Sequence, residues 1–297
     1  MKNKNIKNIL IILFYLFFLD NALAENQFIF ESNTIEYKDN ENLVIAKGKV
    51  KITSSDQIII FADESEYFKI TNKLYLNGNV VVVDQKRNIT IKSNKVSYDK
   101  IEELIRSDDK TELKIGTDYV INTSDIIYFR LKKILKSDNK TSLIDYFNNK
   151  IETNGFEYDA EKKKFKSENL RIIDKDLNEY ITKNSLVDLN NKQIAAKDVE
   201  MYFSKKANFG ENARLKGNYM ISDNNETLIE KGVFTTCKPN DDCPPWAMQS
   251  ESITHNKKKK IIEYKNAWLK LYDKPVFYFP KFFHPDPTVK RQSGFLI

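Results

Sequence analysis

Two stretches of the chain decide its fold: residues 30–52 read FESNTIEYKDNENLVIAKGKVKI, and residues 60–82 read IFADESEYFKITNKLYLNGNVVV. Each stretch carries a tyrosine, Tyr37 or Tyr67, and then a glycine eleven residues later, Gly48 or Gly78. Apolar residues recur at every second position on either side of the glycine, and many are β-branched, which is typical of β-strands. The stretches therefore predict a pair of strands that repeats with a period of about thirty residues.

The same unit continues along the chain at intervals of 30 to 34 residues. Its first position is held by Tyr37, Tyr67, Tyr98, Tyr128, Tyr158, Asp188, Ile221 and His255. Its second position is always Gly, Asn or Asp, the residues that tolerate a positive φ: Gly48, Gly78, Asp109, Asn139, Asn169, Asp198, Gly232 and Asn266. We therefore predict an all-β fold, an elongated jellyroll-like or solenoid-like stack of about eight two-strand repeats, with a left-handed turn in each.

One segment has a second interpretation. Arg130–Lys136 reads RLKKILK, and the spacing of its apolar residues also suits a short amphipathic helix. The segment occupies the place of a turn and a strand in its repeat unit, so we predict strand or hairpin there.

The distribution of proline supports paired strands. All seven prolines lie between Pro239 and Pro287, and none occurs in the first 238 residues. Because proline lacks the backbone N–H that a strand ladder needs, it is excluded from the interior of a sheet. The chain thus divides into a long body of strands and a short proline-rich tail.

The N-terminus has the three parts of a secretory signal peptide. Three lysines lie within the first seven residues, Ile9–Leu19 is an unbroken apolar run, and Ala22-Leu23-Ala24 offers the small residues that signal peptidase reads. At about 1.5 Å per residue, the apolar run spans only about half of a bilayer core, which argues against the alternative of an uncleaved anchor. We predict a signal peptide at residues 1–24 of an exported protein.

The composition excludes several functions. With 48 basic and 42 acidic residues the formal net charge is +6, and a nucleic-acid partner has little electrostatic support. A zinc site would need Cys237, Cys243, His255 and His284, whose spacing matches no compact zinc pattern. We therefore expect no nucleic acid, no metal and no cofactor.

The expected oxidation state of the two cysteines depends on the compartment of the protein. In an oxidising environment a cysteine pair is usually a disulfide. Cys237 and Cys243 are separated by five residues that include Pro239. A local Cys237–Cys243 bond at the start of the tail is therefore a hypothesis, which two free thiols would contradict.

The repeat units resemble the OstA-like domain, the β-jellyroll of a family of lipopolysaccharide-assembly proteins. The resemblance rests on Phe30–Tyr37 followed by Val44–Val50, and on Ala62–Tyr67 followed by Leu74–Val80. The tail also resembles the segment in which outer-membrane members of the family pass from the jellyroll into a barrel, through CPPWAMQS (243–250), AWLKLYDKPVFYFP (267–280) and HPDPTVKRQSGFL (284–296). The resemblance implies a jellyroll at residues 25–236, and a last unit and linker at residues 237–297 leading to an outer-membrane barrel that is absent from the sequence.

The resemblance implies a lipid carrier rather than an enzyme. In the family, the periplasmic jellyroll carries lipopolysaccharide with its acyl chains in the apolar interior, on the way to the outer-membrane translocon. Burial of an acyl chain contributes about 0.8 kcal/mol per methylene. Alternate positions of the early units are expected to face the interior, either as lipid-binding residues or as ordinary core: Ile35, Ile45, Val50, Ile60, Leu76 and Val82.

The first mature strand, around Phe28, Ile29 and Phe30, is the expected docking edge, because an edge strand offers unpaired N–H and C=O groups to another chain. The resemblance implies an LptA-like jellyroll protein of the periplasmic bridge as the partner; a frayed chain end is the alternative. In the full-length family protein the outer-membrane barrel and an LptE-like lipoprotein plug are further partners. The expected location is the periplasmic face of the cell outer membrane.

Aromatic residues crowd the proline-rich tail: Phe277, Tyr278, Phe279, Phe282 and Phe283. Such a segment suits either a membrane interface, where aromatic side chains are favoured, or a cap packed on the last repeat unit. Both interpretations stay open. Lys290 and Arg291 suit lipid phosphates or, equally, a solvated basic pair.

Two other classes of function are compatible with a stack of strands. An exported β-helix enzyme that cleaves polysaccharide would need carboxylates and a basic residue gathered on one face, whereas the acidic residues here are spread over turns. An adhesin or scaffold would keep the stack and have no lipid groove. We therefore predict no catalytic residues.

Overall fold

The structure, a computed structural model, describes residues 28–117, 119–144, 148–204, 212–237, 245–285 and 289. These residues form 22 β-strands joined by turns, and within these ranges there is no helix. In particular, no helix here is long and apolar enough to cross a membrane. The predicted signal peptide lies outside the described residues and stays a prediction.

The strands follow one another at short intervals. In chain order they are β1 (Ile29–Glu31), β2 (Thr34–Lys38), β3 (Leu43–Thr53), β4 (Ile58–Phe68), β5 (Lys73–Asp84), β6 (Ile89–Asp99), β7 (Leu104–Ser107), β8 (Thr111–Ile115), β9 (Tyr119–Thr123), β10 (Ile126–Phe129), β11 (Ile134–Ser137), β12 (Thr141–Ile144), β13 (Lys150–Thr153), β14 (Phe156–Asp159), β15 (Lys164–Ile173), β16 (Glu179–Asp188), β17 (Gln193–Tyr202), β18 (Arg214–Ser222), β19 (Glu226–Thr235), β20 (Trp246–Asn256), β21 (Ile261–Leu271) and β22 (Lys274–Pro285).

All 22 strands belong to one antiparallel sheet in which the chain runs back and forth. We call one passage of the chain between two chain reversals a crossing. Five crossings consist of two short strands instead of one long strand, for example β7 with β8 and β11 with β12. The prediction of stacked two-strand repeats is thereby confirmed. The segment at Arg130–Lys136 is a turn followed by β11, so the strand interpretation of this segment is confirmed as well.

Each crossing bends in its middle. On β3 the register with β4 shifts between Lys47 and Val50, and inward-facing residues that are two apart elsewhere are four apart there, at Ala46 and Val50. The bend falls on Gly48, whose φ is +75° and whose added Cβ would lie 2.8 Å from the Asn33 Nδ2 atom, so only glycine fits.

The bends explain the recurring Gly, Asn or Asp. A positive φ is confirmed at five of the eight positions: Gly48, Gly78, Asn169, Asp198 and Asn266. These residues lie within the crossings, however, and not in chain-reversing turns, which corrects the predicted turn. In two other units the bend is instead a gap between strands, at Asp109 and Asn139, and in the unit of Gly232 the positive φ belongs to Lys231.

The bends divide the sheet into two arms, and the chain-reversing turns form a row at the free end of each arm. The first turn row comprises residues 39–42, 69–72, 100–103, 130–133, 160–163, 189–192, 223–225 and 257–260. Described turns of the second turn row are residues 54–57, 85–88, 116–117, 174–178 and 272–273. Backbone hydrogen bonds connect successive turns of the first row, as from Arg130 N to Glu103 O at 3.0 Å.

The inner side of the bend carries small hydroxyl side chains. Buried Ser and Thr residues recur there every fourteen to sixteen residues, at Ser93, Ser107, Thr123, Ser137, Thr153, Ser167 and Thr182. Several bond to one another, such as Thr123 Oγ1 to Ser137 Oγ at 2.8 Å. Small side chains let the two arms approach at the bend, and the mutual bonds satisfy several of the hydroxyls that are removed from water.

Candidate functional site

The space between the arms is filled by two apolar clusters. The first core cluster runs from Phe28 to Phe165, and the second core cluster runs from Ala196 to Ala267. Both are built from inward-facing residues at alternate strand positions. Where the first cluster gives way to the second, the arms enclose a cavity of about 520 Å³.

The wall of the cavity is mainly apolar. The second arm contributes Ile115, Tyr119, Ile121, Leu143, Ile151, Leu170 and Ile172, and the first arm contributes Tyr158, Phe165, Val187, Leu189 and Ile194. Another concavity, of about 790 Å³, is lined largely by polar and charged residues of the outer face such as Lys166 and Asn184. The cavity between the arms is therefore the one suited to an apolar ligand.

The mouth of the cavity lies between the two turn rows and is polar. Asp188, Lys192, Asp223 and Lys257 surround it. Asp188 Oδ1 accepts the backbone N–H groups of Asn190 and Asn191 at 3.0 and 3.1 Å, and the bonds from this turn lower the pKa of the Asp188 carboxyl. The cavity thus combines an apolar wall with a charged rim.

The ammonium group of Lys257 is fixed on this rim by hydrogen bonds. Lys257 Nζ donates to Ser222 Oγ at 3.0 Å and to the backbone carbonyl of Asp223. Burial lowers the pKa of Lys257, and the nearby Asp223 carboxylate partly offsets that effect. The side chain of Lys257 is therefore held in place at the mouth.

Over the first core cluster the two turn rows are joined by a buried group of charges, which we call the seam cluster: Asp56, Asp84, Lys100, Glu103 and Arg130. Arg130 lies in the first turn row, and its Nη1 atom is 2.6 Å from Asp56 Oδ2 in the second row. Lys100 Nζ lies 2.7 Å from Glu103 Oε1 and 3.3 Å from Asp56 Oδ2. Because the Arg130 and Asp84 side chains are only 4% and 1% exposed, these charges are withdrawn from water and depend on one another.

Two recurring tyrosines extend the seam cluster. Tyr128 donates its hydroxyl to Asp84 Oδ2 at 2.8 Å, and Tyr98 donates to Glu103 Oε2 at 2.8 Å. Burial raises the pKa of both phenols. In two of the repeats the tyrosine that marks the unit therefore connects the core to the seam cluster.

Asp56 shows the balance of forces in the seam cluster. Burial by itself raises the pKa of Asp56, but the hydrogen bond from Ser54 and the Arg130 guanidinium outweigh burial. The pKa of this carboxyl is consequently held well below its ordinary value of 3.8. Asp56 is ionised at neutral pH and attracts Arg130 across the seam.

Four of the six predicted interior residues lie in the first core cluster. Val50, Ile60, Leu76 and Val82 face inward and are at most 2% exposed. They fill the space between the arms at this level and do not line the cavity. Their predicted contact with lipid stays a prediction.

The other two predicted interior residues lie elsewhere. Ile35 shares a face with Ala46, its strand partner, but it is 37% exposed because β2 is at the edge of the sheet. Ile45 lies between Glu36 and Glu66 on the neighbouring strands, and so it occupies the outer face. Ile45 is nevertheless only 9% exposed: its side chain is buried on the face opposite to Ala46 and outside the first core cluster, and its predicted contact with lipid stays a prediction.

The predicted docking residues lie at the first edge of the sheet. β1 and β2 are paired with β3, and within the described ranges their other side has no strand partner. Phe28 packs against Tyr67 and Tyr98 with ring centroids 5.2 and 5.6 Å apart, whereas Ile29 is 63% exposed. Aromatic packing therefore anchors this edge in the first core cluster.

In the tail, β22 forms the second edge of the sheet and pairs with β21. Phe279 and Phe282 pack against the second core cluster, while Phe277 and Tyr278 are 57% and 41% exposed. Phe277 lies on the same face as Phe279, with ring centroids 4.6 Å apart, whereas Tyr278 packs on Trp268 on the opposite face. The strand thus caps the core with one face and carries an exposed aromatic pair on the other. Lys290 and Arg291 lie outside the described residues.

The predicted disulfide involves Cys243, which also lies outside the described residues, so the bond stays a prediction. Cys237 is half-buried, and its Sγ atom lies 3.6 Å from the carbonyl oxygen of Trp246. His284, considered above as a zinc ligand, instead shares a hydrogen bond of 3.0 Å between its Nε2 atom and the Tyr264 hydroxyl.

The first third of the chain is similar in sequence to known proteins. Residues 17–111 match the family described as OstA-like protein. A protein named LPS-assembly protein LptD from Sodalis glossinidius is 35% identical over 106 residues, which is 35% of this chain and 13% of the relative. Its namesake from Pectobacterium atrosepticum is 32% identical over 124 residues, which is 41% of this chain and 15% of the relative. The matched region is therefore a small part of these relatives.

Among solved structures, similarity was found to LptH from Pseudomonas aeruginosa, described as the LptA-homologous periplasmic component of the lipopolysaccharide transport device. The sequence identity is 13% and the TM-score is 0.23, over 48% of this chain and 83% of that one. The family match ends at the beginning of β8, before most of the cavity wall. The properties of the cavity therefore rest on the structure of this chain.

Proposed function

Residues 17–111 form an OstA-like segment similar to part of the LPS-assembly proteins named LptD, and from this premise we propose that the chain is a non-catalytic periplasmic component of lipopolysaccharide transport. Its folded sheet shields acyl chains from water on their way to the outer membrane. The predicted signal peptide supports an exported protein that works at the periplasmic face of that membrane.

The observation that carries this proposal is the apolar cavity between the arms. Ile121, Leu143 and Ile172 form part of its wall, and its mouth opens between the turn rows. An amphiphile would place its chains against this wall and leave its polar group at the mouth. Ten buried methylenes would contribute about 8 kcal/mol, at about 0.8 kcal/mol each.

The free edges of the sheet support a partner. The unpaired side of β1 and β2 offers backbone N–H and C=O groups to a strand from an LptA-like jellyroll protein. Ile29, exposed between the anchoring rings of Phe28 and Phe30, would contact such a strand. An outer-membrane barrel with its LptE-like lipoprotein is the corresponding partner at the other end in a full-length protein.

Photo-crosslinking in cells tests the proposal. A photoreactive amino acid at Ile121, which faces the cavity and is 2% exposed, is expected to give an adduct with lipopolysaccharide. The matched control is Val120, the preceding residue, which is 37% exposed on the outer face. Equal protein levels and equal protease resistance show that both variants fold.

An adduct at Ile121 without one at Val120 supports the proposal. If neither Ile121 nor a second cavity position, Leu143, gives a lipopolysaccharide adduct, the proposed function is wrong. A crosslinker at Ile29 tests the partner separately, because its expected adduct is a protein of the bridge rather than a lipid.

A further inference from the structure

The charge of the first turn row changes along the molecule. Two of its first three turns carry acidic pairs, Asp39 with Glu41 and Glu102 with Glu103, whereas the turn at residues 69–72 carries Lys69. From residue 130 onward most turns carry lysine: Lys132, Lys133, Lys162, Lys163, Lys192 and Lys257 to Lys260. The turn at residues 223–225 is the exception among these described turns, because it carries Asp223 and no lysine. The change occurs where the seam cluster ends and the cavity begins.

The lysine-bearing turns are held in register. The backbone N–H of Ala160 donates to Lys133 O at 2.9 Å, and the N–H of Leu189 donates to Lys163 O at 3.0 Å. Successive turns of one row are separated by two strands, which places them about 10 Å apart. The lysines therefore form a basic edge, which we call the basic rim. Asp223 interrupts this edge between Lys192 and Lys257, and Lys133 and Lys162 form ion pairs with Glu161 and Asp159.

The basic rim reaches the mouth of the cavity at Lys192 and Lys257. The two carboxylates beside them already accept backbone N–H groups, Asp188 from its own turn and Asp223 from Asn225 and Glu226 at 2.7 and 2.9 Å. Among the described residues Lys192 takes part in no ion pair. Lys257, held by Ser222, is also not matched by a carboxylate in an ion pair within these ranges.

The opposite side of the mouth has a different charge. The facing turn of the second row, residues 174–178, carries Asp174 and Asp176 with a single lysine, Lys175. Asp174 is engaged by Asn178 and by the Tyr180 hydroxyl. This turn is not part of the cavity lining, so the charges nearest to an anion at the mouth are those of Lys192 and Lys257 and of the neighbouring Asp188 and Asp223.

We infer that the basic rim at Lys192 and Lys257 binds the phosphate-bearing headgroup of an amphiphile whose chains occupy the cavity. This inference rests on the proposed function and adds the orientation of the ligand. An ammonium group on a flexible stem suits phosphate as a point charge, and the attraction at an exposed rim is weakened by salt. The headgroup lies against the first turn row and the chains point to the bend.

Binding of two detergents to the purified full-length chain tests this inference. Dodecyl phosphate and dodecyl maltoside share one apolar tail, and they are used below their micelle-forming concentrations, with inorganic phosphate as a third probe. The double variant Lys192→Glu/Lys257→Glu is compared with Lys95→Glu/Lys231→Glu. Lys231 matches Lys192 closely, with φ of 50° and 52°, and both control lysines lie at bends on the outer face.

The rim variant is expected to bind dodecyl phosphate about tenfold or more weakly, since loss of roughly 1.4 kcal/mol corresponds to a factor of ten. Its affinity for dodecyl maltoside should be unchanged, and the control variant should keep both affinities. Binding of dodecyl phosphate to the wild type should also weaken between 50 mM and 500 mM salt, because the Debye length falls across this range; it is about 10 Å at 0.1 M and about 3 Å at 1 M.

The possible outcomes distinguish a failure of the headgroup site from a failure of the proposed function. If both detergents bind and the rim variant weakens both equally or neither, the cavity stands and the headgroup site is wrong. If the control variant loses as much affinity as the rim variant, bulk charge is responsible and the site is wrong. Inorganic phosphate that binds as tightly as dodecyl phosphate identifies a free-anion site and overturns the headgroup assignment. If neither detergent binds the wild type, the proposed function itself fails.

A folding defect is controlled by a milder pair of changes. Lys192→Gln/Lys257→Gln removes both charges without adding new ones, and it should reduce affinity for dodecyl phosphate by a smaller factor. Circular dichroism of each variant establishes that the sheet is intact before binding is compared.

Discussion

Two adjacent stretches of the interior are built from the same repeat, yet one is filled and the next encloses a cavity. Over the first core cluster, Arg130 and Asp56 tie the turn rows together, and Leu76 and Val82 fill the space beneath. Around Leu143 and Val187 the arms enclose a cavity, and no comparable buried cluster of charges joins the turn rows within the described residues. The comparison teaches that closure is decided by a few turn residues and not by the strand pattern, which is shared.

The largest loss of stability is expected when Arg130 is removed from the seam cluster. Arg130→Met removes the guanidinium that contacts Asp56, Glu103 and Asp84, while Lys100 and Arg87 remain beside these carboxylates, so it should lower the free energy of unfolding by about 3–5 kcal/mol. Urea denaturation followed by circular dichroism measures this loss. Arg171→Met is the control, because Arg171 pairs with Glu179 at 2.5 Å but its side chain is 42% exposed; its loss should stay below about 1 kcal/mol. Similar losses for both variants would show that the seam cluster does not hold the arms together.

The second prediction compares packing. Leu76→Ala, in the filled stretch at 1% exposure, should cost about 3 kcal/mol, since the neighbours cannot close the void. Leu143→Ala, at the cavity wall, should cost about 1 kcal/mol, because this side chain already borders empty space. Urea unfolding midpoints of the two variants give the comparison directly. Equal costs would argue that the cavity collapses in solution.

The third prediction concerns substitutions that enlarge a buried side chain. Val82→Phe adds volume to the filled stretch and should cost about 2 kcal/mol through overpacking. The same change at Val187, which lines the cavity, should alter stability by less than about 1 kcal/mol, because the ring has space to enter. Thermal unfolding of the two variants distinguishes them. Greater destabilisation at Val187 would contradict the open interior.

The smallest expected effect is the pH dependence of the stability that Asp56 contributes. The pKa of Asp56 is depressed in the folded protein, so its contribution is complete well above the ordinary value of 3.8 and is lost as the pH falls below it. Asp56→Asn should therefore lower stability by about 1–2 kcal/mol at pH 7, and the difference from the wild type should shrink between pH 4 and pH 2. Urea unfolding at pH 7, 4 and 3 measures it. A difference that stays constant over this range would remove Asp56 from the seam.

Much of the fold is readable in the sequence because strand pairing is written in local patterns. Alternation at Leu74 and Leu76, the tyrosine at Tyr98, and the glycine at Gly78 predicted stacked strands and a left-handed residue in each unit; the strands were confirmed, and the left-handed residue was confirmed at five of the eight positions. The meaning of the glycine was missed: it lies at a bend that divides the arms. The buried hydroxyls at the bend, such as Ser107 and Thr123, repeat regularly and give a signal that identifies it.

The site is less readable because it depends on contacts between distant turns. Alternation alone did not show that Ile45 lies on the face opposite to Ala46, since the bend changes the spacing of inward residues. Arg130 stood out only as part of a segment with helical spacing, and nothing near it in sequence indicates Asp56, 74 residues away. The cavity wall around Ile121 and Leu143 has the same alternation as the filled core, so no local pattern separates a void from a packed interior.

The sequence by itself therefore determined the strand class, the repeat and the left-handed positions at the bends, because hydrogen-bonded ladders and backbone strain act over a few residues. The tertiary structure alone decided where the interior is filled, where it is open and which charges meet across the seam. Those outcomes depend on volumes and ion pairs contributed by turns that are far apart in the chain, and they are fixed only when the two arms fold together.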